Sequence, residues 1–475
     1  MAQNCAPFVS GEWLSETNRE TRDNLSPATG APVGTMVCAT AEDARAAADA
    51  AAKAFPVWSA LAPQQRARML GTIAQRVQEA HEELSRLITT EQGKPLAEAR
   101  MEMDGVIEMF EHFASVAETM PFRYERPDKG TNRTIDMIPA GPVIIITTWN
   151  FPVETAAVHL APALAAGCTA VVIANNSTPA SVARLIGLMH EAGLPEGAVN
   201  LLMGSSAMLS ETLIKHPATR HLSYTGSVRV GRQLAAQCGA EIMRCTLELG
   251  GNAPAIVLPG ADVEAAAKAL ISKRFWNAGQ VCTAPNRIFV NRAQHDAFAE
   301  AAGAYVRNLV LGDGLQDATT MGPLATTERV ASMQRIAEDA LAKGATAIVN
   351  DSAPQEGGNW VSPKVFANVP WDALGLREEI FGPIACITPY DDLEAVIAEV
   401  NNCELALSGY VYGPDQAEAE AVGARLQVGS VAVNQLTTAY IDVPFGGIKQ
   451  SGLGCVGGEA AVQEYLFPRL TAAAQ

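Results

Sequence analysis

Two residues of this chain have the chemistry for a covalent reaction. Cys282 stands in Asn277-Ala-Gly-Gln-Val-Cys-Thr283. A thiolate is the strongest common side-chain nucleophile, and a flexible Gly279 beside a polar Gln280 would leave the sulfur accessible. A cysteine taken at random is more often an inert buried thiol. Glu248 lies in Thr246-Leu-Glu-Leu-Gly-Gly-Asn252, a carboxylate inside an apolar stretch. Burial there raises a carboxyl pKa toward that of a general base, although a helix cap or an ion-pair partner would look the same. Tyr224-Thr-Gly-Ser-Val-Arg-Val-Gly231 reads as a strand ending and a helix beginning between two glycines. Free N–H groups at such a helix start suit a pyrophosphate, and an ordinary strand-to-helix turn has the same pattern. Gly452-Leu-Gly-Cys-Val-Gly457 matches the dinucleotide fingerprint, but no strand precedes it and no ribose-binding acid follows before the chain ends. It is set aside.

These residues need a scaffold, and the 475 residues provide one. The length allows two or three domains, and 48% apolar with 18% charged residues is a globular composition. From Val143 onward short apolar runs alternate with helical periods: strands at 143–148, 170–174, 199–203 and 221–224, helices at 153–166, 180–192 and 209–215. That is the signature of parallel βαβ units covered on both faces. A second alternating block starts near Pro254, with strands near 255–258, 287–290, 347–349, 410–412 and 430–433. Its helices are expected at 263–275, 293–309, 327–342 and 393–401. Ahead of both, Thr40 and Asp43 predict a capped helix to Phe55, and another helix runs from Pro63 to about Thr90. Met120–Ile138, between the blocks, alternates like a hairpin arm.

Composition excludes several partners. The net charge of −17 repels phosphate backbones and anionic lipid, so nucleic acid is not expected. No run approaches the ~20 apolar residues of a membrane span, and the first thirty residues lack an apolar signal core, which leaves the cytoplasm as the expected location. Nine cysteines without a Cys-x-x-Cys pair fit neither a disulfide framework nor a zinc knuckle.

Six motifs together resemble the aldehyde dehydrogenase superfamily. They are Thr148-Trp-Asn-Phe-Pro152, Tyr224-Thr-Gly-Ser227, Leu247-Glu-Leu-Gly-Gly251, Gly279-Gln-Val-Cys282, Glu378-Glu-Ile-Phe-Gly-Pro383 and Pro444-Phe-Gly-Gly-Ile-Lys449, in family order and spacing. The stretches 162–168, 248–254 and 277–287 are most similar to the succinate semialdehyde dehydrogenase-like branch. The resemblance implies an α/β fold. A Rossmann-type dinucleotide-binding domain would span 1–119 and 140–248, a catalytic domain 249–445, and a β oligomerisation arm and tail 120–139 and 446–475. It implies a homodimer or homotetramer.

By the same resemblance Cys282 attacks the aldehyde carbon, with the Asn150 amide and the Cys282 N–H holding the oxyanion. Glu248 then activates water against the thioester. Its presence favours hydrolysis over transfer to coenzyme A. Thr148, Trp149, Asn176, Gly226, Ser227, Gly231, Glu379 and Phe381 would bind the cofactor. The usual Lys-Pro-Ser-Glu is Ile173-Ala-Asn-Asn176 here, so NAD and NADP both remain open. His159 replaces a common lysine, Cys455-Val456 replaces a common Arg-Glu, and Ala284 replaces a second cysteine of the branch. The substrate pocket would be formed by Phe151, Val158, Trp276, Val281, Thr283, Ala439 and Phe445. Val158, Trp276 and Ala439 stand where that branch carries two arginines and a serine. A carboxylate against them would be unpaired. The expectation is therefore an uncharged aromatic or medium-chain aliphatic aldehyde, with a charged semialdehyde or a binding protein of impaired catalysis as alternatives.

Overall fold

The computed structural model describes residues 4–126, 131–351 and 357–474. Five parallel strands form the centre of the eight-stranded first sheet, in the spatial order Val199–Leu202, Ala170–Ile173, Val143–Ile146, His221–Gly226 and Arg244–Leu249, with Phe8–Val9 and Glu12–Trp13 antiparallel beyond Val199–Leu202. The middle three read Ala-Val-Val-Ile, Val-Ile-Ile-Ile and His-Leu-Ser-Tyr-Thr-Gly, and helices close both faces over them. In the first two, apolar residues run on without alternation because neither face meets water. Chain direction across the sheet reverses between Val143–Ile146 and His221–Gly226. Loops leaving the carboxyl ends of those two strands diverge there and open a crevice.

The second sheet runs Thr346–Asn350, Lys364–Ala367, Ile384–Tyr390, Arg287–Asn291, Pro254–Val257, Ser408–Tyr412 and Ser430–Val433. All neighbours are parallel except the first pair. Residues 352–356, inside the expected catalytic domain, lie outside the described residues.

Several elements differ from the sequence reading. The helix expected over Pro63–Thr90 is two, Pro63–Glu79 and His81–Gln92, joined at Ala80. Val77 and Leu84 are both buried and one heptad apart, so the apolar stripe continues through the break and conceals it. Leu96–Thr119 forms a long helix that had not been anticipated, and it packs along Pro63–Glu79. Strands Lys364–Ala367 and Ile384–Tyr390 were also unread.

The arm is built from Arg123–Glu125 and Thr131–Pro139, with residues 127–130 outside the described set. Thr131–Pro139 pairs antiparallel with Leu466–Ala474 from Pro139↔Leu466 to Thr131↔Ala474. Gly452–Leu453, from the rejected glycine motif, is an antiparallel edge strand on Arg244–Leu249, not the start of a βα unit. Among the described residues no helix is long and apolar enough to cross a membrane.

Candidate active site

A cavity of about 960 Å³ opens where the first sheet's chain direction reverses. Thr148, Trp149 and Asn150 enter it after one central strand, Thr225, Gly226 and Ser227 at the end of the other, and Glu248 and Gly250 at the end of Arg244–Leu249. Cys282 lines it from the opposite wall. The structure therefore brings the nucleophile and base candidates into one space.

The loop presenting Cys282 is pinned, which corrects the expectation of a flexible Gly279 beside the polar Gln280. Gln280 is 0% exposed; its Nε2 donates to the Asn277 carbonyl (3.0 Å) and its Oε1 accepts the Ala325 N–H (2.9 Å). Asn277 and Ala278 sit at φ 49° and 51°, a left-handed backbone that side chains rarely adopt. At Gly279, φ +76°, a Cβ would run into the Gly382 carbonyl, so glycine is required for close approach. Burial pushes the Cys282 thiol up to about 12, with Glu379, Glu248 and Glu154 adding to the rise and Lys273 opposing it. None of the nine cysteines is in a disulfide.

Asn150 is 5% exposed. Its Nδ2 donates to the Gln280 carbonyl at 3.0 Å, which leaves the second amide hydrogen for another acceptor. Its backbone carbonyl is clamped by Lys94 Nζ (2.8 Å) and Asn277 Nδ2 (2.9 Å). Lys94 is fully enclosed; it pairs with Glu102 (2.7 Å) and lies 3.8 Å from the Phe151 ring centroid. Glu102 in turn accepts the Val153 and Glu154 N–H groups at the start of Pro152–Ala166. Sequence reading missed Lys94 and Glu102, which are eight residues apart in a loop and an unread helix. Lys94→Met strands the Glu102 charge in the interior, so a stability loss of about 3–5 kcal/mol is expected in urea unfolding. A loss below about 1 kcal/mol would rule out the clamp.

Glu248 is 6% exposed and lines the cavity, and neither carboxyl oxygen has a partner among the described residues. Burial holds its pKa well above the usual carboxylate range. His159, in the adjoining helix, is buried with Nε2 2.9 Å from Thr225 Oγ1, and burial lowers it to about 4, so it is neutral. Val456 lines the cavity and contributes no proton carrier; its backbone is bridged to Phe445.

At the far end of the cavity the helix Val228–Ala240 begins with Ser227, whose hydroxyl accepts the Val230 N–H (3.4 Å). At Gly226 a Cβ would collide with the Tyr224 hydroxyl, and at Gly250 with Glu379. Both glycines keep the backbone open. Glu379 Oε1 accepts the Gly251 N–H (3.0 Å), and burial raises its pKa to about 7. Phe381, at φ 48°, meets Trp149 edge to face at 5.4 Å. Bare backbone at a helix start, a carboxylate and an aromatic pair fit a dinucleotide.

Two expected cofactor residues are not in this lining. Gly231 sits under the cavity floor, where a Cβ would strike Leu249, so its role is tight helix-to-sheet packing. Asn176 is engaged at both ends of its amide, donating to the Gly204 carbonyl (2.7 Å) and accepting the Gly204 N–H (3.0 Å). Phe151, Val158, Trp276, Val281, Thr283, Ala439 and Phe445 all line the cavity. Phe151 and Trp276 stack tilted at 5.2 Å, and the Thr283 carbonyl accepts the Tyr410 hydroxyl at 2.6 Å. The apolar reading of this end missed Lys273 and Glu154, which line it too.

The model of the aldehyde dehydrogenase family matches residues 13–470. The chain belongs to the aldehyde dehydrogenase family. Its fold is the family's Rossmann-type and catalytic α/β architecture: a solved Escherichia coli NADP-dependent enzyme superposes with a TM-score of 0.97 at 37% identity, covering 99% of this chain and 98% of that one. The succinate-semialdehyde dehydrogenase [NADP(+)] of Escherichia coli is 38% identical, over 97% of this chain and 95% of its own. The 4-(hydroxymethyl)benzenesulfonate dehydrogenase TsaD1 of Comamonas testosteroni is also 38% identical, over 97% and 96%. This aldehyde dehydrogenase is an NAD(P)-dependent oxidoreductase.

Proposed function

We propose that the protein oxidises an aldehyde to the carboxylic acid by hydrolysis of a Cys282 thioester. The observation that carries this is one cavity holding Cys282, Asn150 and an unpartnered Glu248. Cys282, as thiolate, adds to the aldehyde carbon and forms a thiohemiacetal. The free Asn150 amide hydrogen and the Cys282 N–H stabilise its oxyanion, a charge absent from the starting aldehyde. The bound dinucleotide supplies the hydride acceptor that makes the thioester. Glu248 takes a proton from water, the hydroxide expels the thiolate, and the acid leaves. Gly226, Ser227, Glu379, Phe381, Trp149 and Thr148 hold the dinucleotide, which the first sheet carries, while the second carries Cys282.

The substrate's body is aromatic or medium-chain aliphatic, since Phe151, Trp276 and Phe445 line its slot and Val158 and Ala439 offer no polar anchor. An uncharged body is the reading from those residues alone. A charged one is the second reading, favoured by Lys273 in the same wall. Two copies or four assemble through the arm and tail: Leu466–Ala474 is an edge strand with Leu470 63% exposed, a template for another chain.

Purified protein is to be assayed with benzaldehyde, hexanal and succinate semialdehyde, each with NAD and NADP, with and without coenzyme A. Reduced dinucleotide should form without coenzyme A, with higher kcat/KM for benzaldehyde or hexanal than for succinate semialdehyde. Strict dependence on coenzyme A, or no reduction with any aldehyde, would overturn the reading.

A further inference from the structure

Lys273 closes the last turn of Val263–Phe275 beside Arg274, and the two cations have different fates. Arg274 is 1% exposed and committed to the loop, donating to the Gly279 and Gly382 carbonyls and to Asn286. Lys273 lines the cavity that holds Cys282, and among the described residues it has no ion pair or hydrogen bond. Its one specific contact is the face of Trp276, with Nζ 4.3 Å from the ring centroid. That stacking fixes the ammonium without using its hydrogen-bond capacity.

Burial works against the charged form of Lys273, and the Cys282 and Glu154 charges oppose that effect without forming an ion pair with it. Glu154 lines the same cavity but is not within ion-pair distance, and burial with the nearby Glu102 charge moves its carboxyl up to about 7. Glu98 is turned to the Asn277 N–H (3.0 Å). A half-buried ammonium with three unused donors, in a lining that places Phe151, Trp276, Met109 and Phe113 alongside Glu98 and Glu154, is complementary to an anion on an apolar body.

We infer that Lys273 is a specificity-determining residue that receives an anionic group, carboxylate or sulfonate, at the end of the substrate remote from the aldehyde. This rests on the proposed aldehyde oxidation and deepens it. The favoured substrates are aldehydes whose aromatic or medium-chain body ends in an anion. Lys273, stacked on Trp276, supplies the cation that Val158, Trp276 and Ala439 do not.

The test compares benzaldehyde, 4-formylbenzoate and 4-formylbenzenesulfonate on the wild type, Lys273→Met and Lys273→Arg. The wild type should favour at least one anion over benzaldehyde by roughly tenfold or more in kcat/KM, mostly through KM. The stronger of the two identifies carboxylate or sulfonate. Lys273→Met should lower kcat/KM for the preferred anion by roughly tenfold more than for benzaldehyde, which abolishes the preference, and Lys273→Arg should restore it. Calorimetric titration of terephthalate against benzoate, without dinucleotide, should show tighter terephthalate binding in the wild type and not in Lys273→Met. A wild type that prefers benzaldehyde, or a Lys273→Met protein that keeps the preference, would overturn the assignment. So would an equal loss on all three aldehydes, which would place Lys273 on the Cys282 thiol rather than on substrate. If no aldehyde is oxidised the proposed function fails, and the titration alone then decides whether Lys273 binds anions.

Discussion

Cys282→Ser should lower kcat by roughly 10⁴-fold or more, because a serine hydroxyl is a far weaker nucleophile and removal of a covalent nucleophile collapses the reaction that depends on it. The loss should be confined to chemistry. Cys282 touches the cavity rather than the core clusters, and its loop is held by Gln280, Asn277 and Gly279. Dinucleotide affinity should therefore change little, and the unfolding midpoint should stay near that of the wild type. Full activity in the serine variant would remove Cys282 as nucleophile.

Glu248→Gln separates the two halves of the reaction. Thioester formation does not require a base at Glu248, but hydrolysis does. Pre-steady-state mixing should give a burst of one reduced dinucleotide per active site, followed by turnover roughly 10²–10⁴-fold slower than wild type. The pH dependence follows from the direction of the shift. The acting form of Glu248 is the carboxylate, and burial raises its pKa, so wild-type turnover falls as pH drops through a value above the ordinary carboxylate range. Cys282, also raised by burial, adds a second requirement for alkaline pH in acylation. The variant should lose the Glu248 limb from its hydrolysis profile and keep the thiol limb in its burst. Unchanged steady-state turnover would show that another group activates the water.

The central strands were legible because parallel strands covered on both faces are unbroken apolar runs, as in Val143–Ile146 and Ala170–Ile173. Thr21–Leu25, by contrast, is Thr-Arg-Asp-Asn-Leu, mostly exposed, and has no apolar signal to read. The catalytic candidates were visible because each sits in a short fixed motif. Their supports were not. Lys94 reaches Asn150 across 56 residues and Gln92 reaches Asn277 across 185, and periodicity carries no information about contacts at such separations. Lys273 lay in plain view three residues before Trp276, but a lysine in the last turn of a helix ordinarily complements the helix dipole and faces solvent. Only the fold shows that this turn faces the cavity.

The clasp between Asn176 and Gly204 constrains how dinucleotide preference can evolve. Its two hydrogen bonds join the loops that leave neighbouring strands Ala170–Ile173 and Val199–Leu202. By the family resemblance a glutamate at position 176 would set a charge against a dinucleotide 2′-phosphate, and in the same step it would lose the donor that holds the Gly204 carbonyl. The two effects are inseparable at this codon. A substitution at position 176 therefore costs loop stability unless the Gly204 loop is rebuilt first, and the order of the two changes matters.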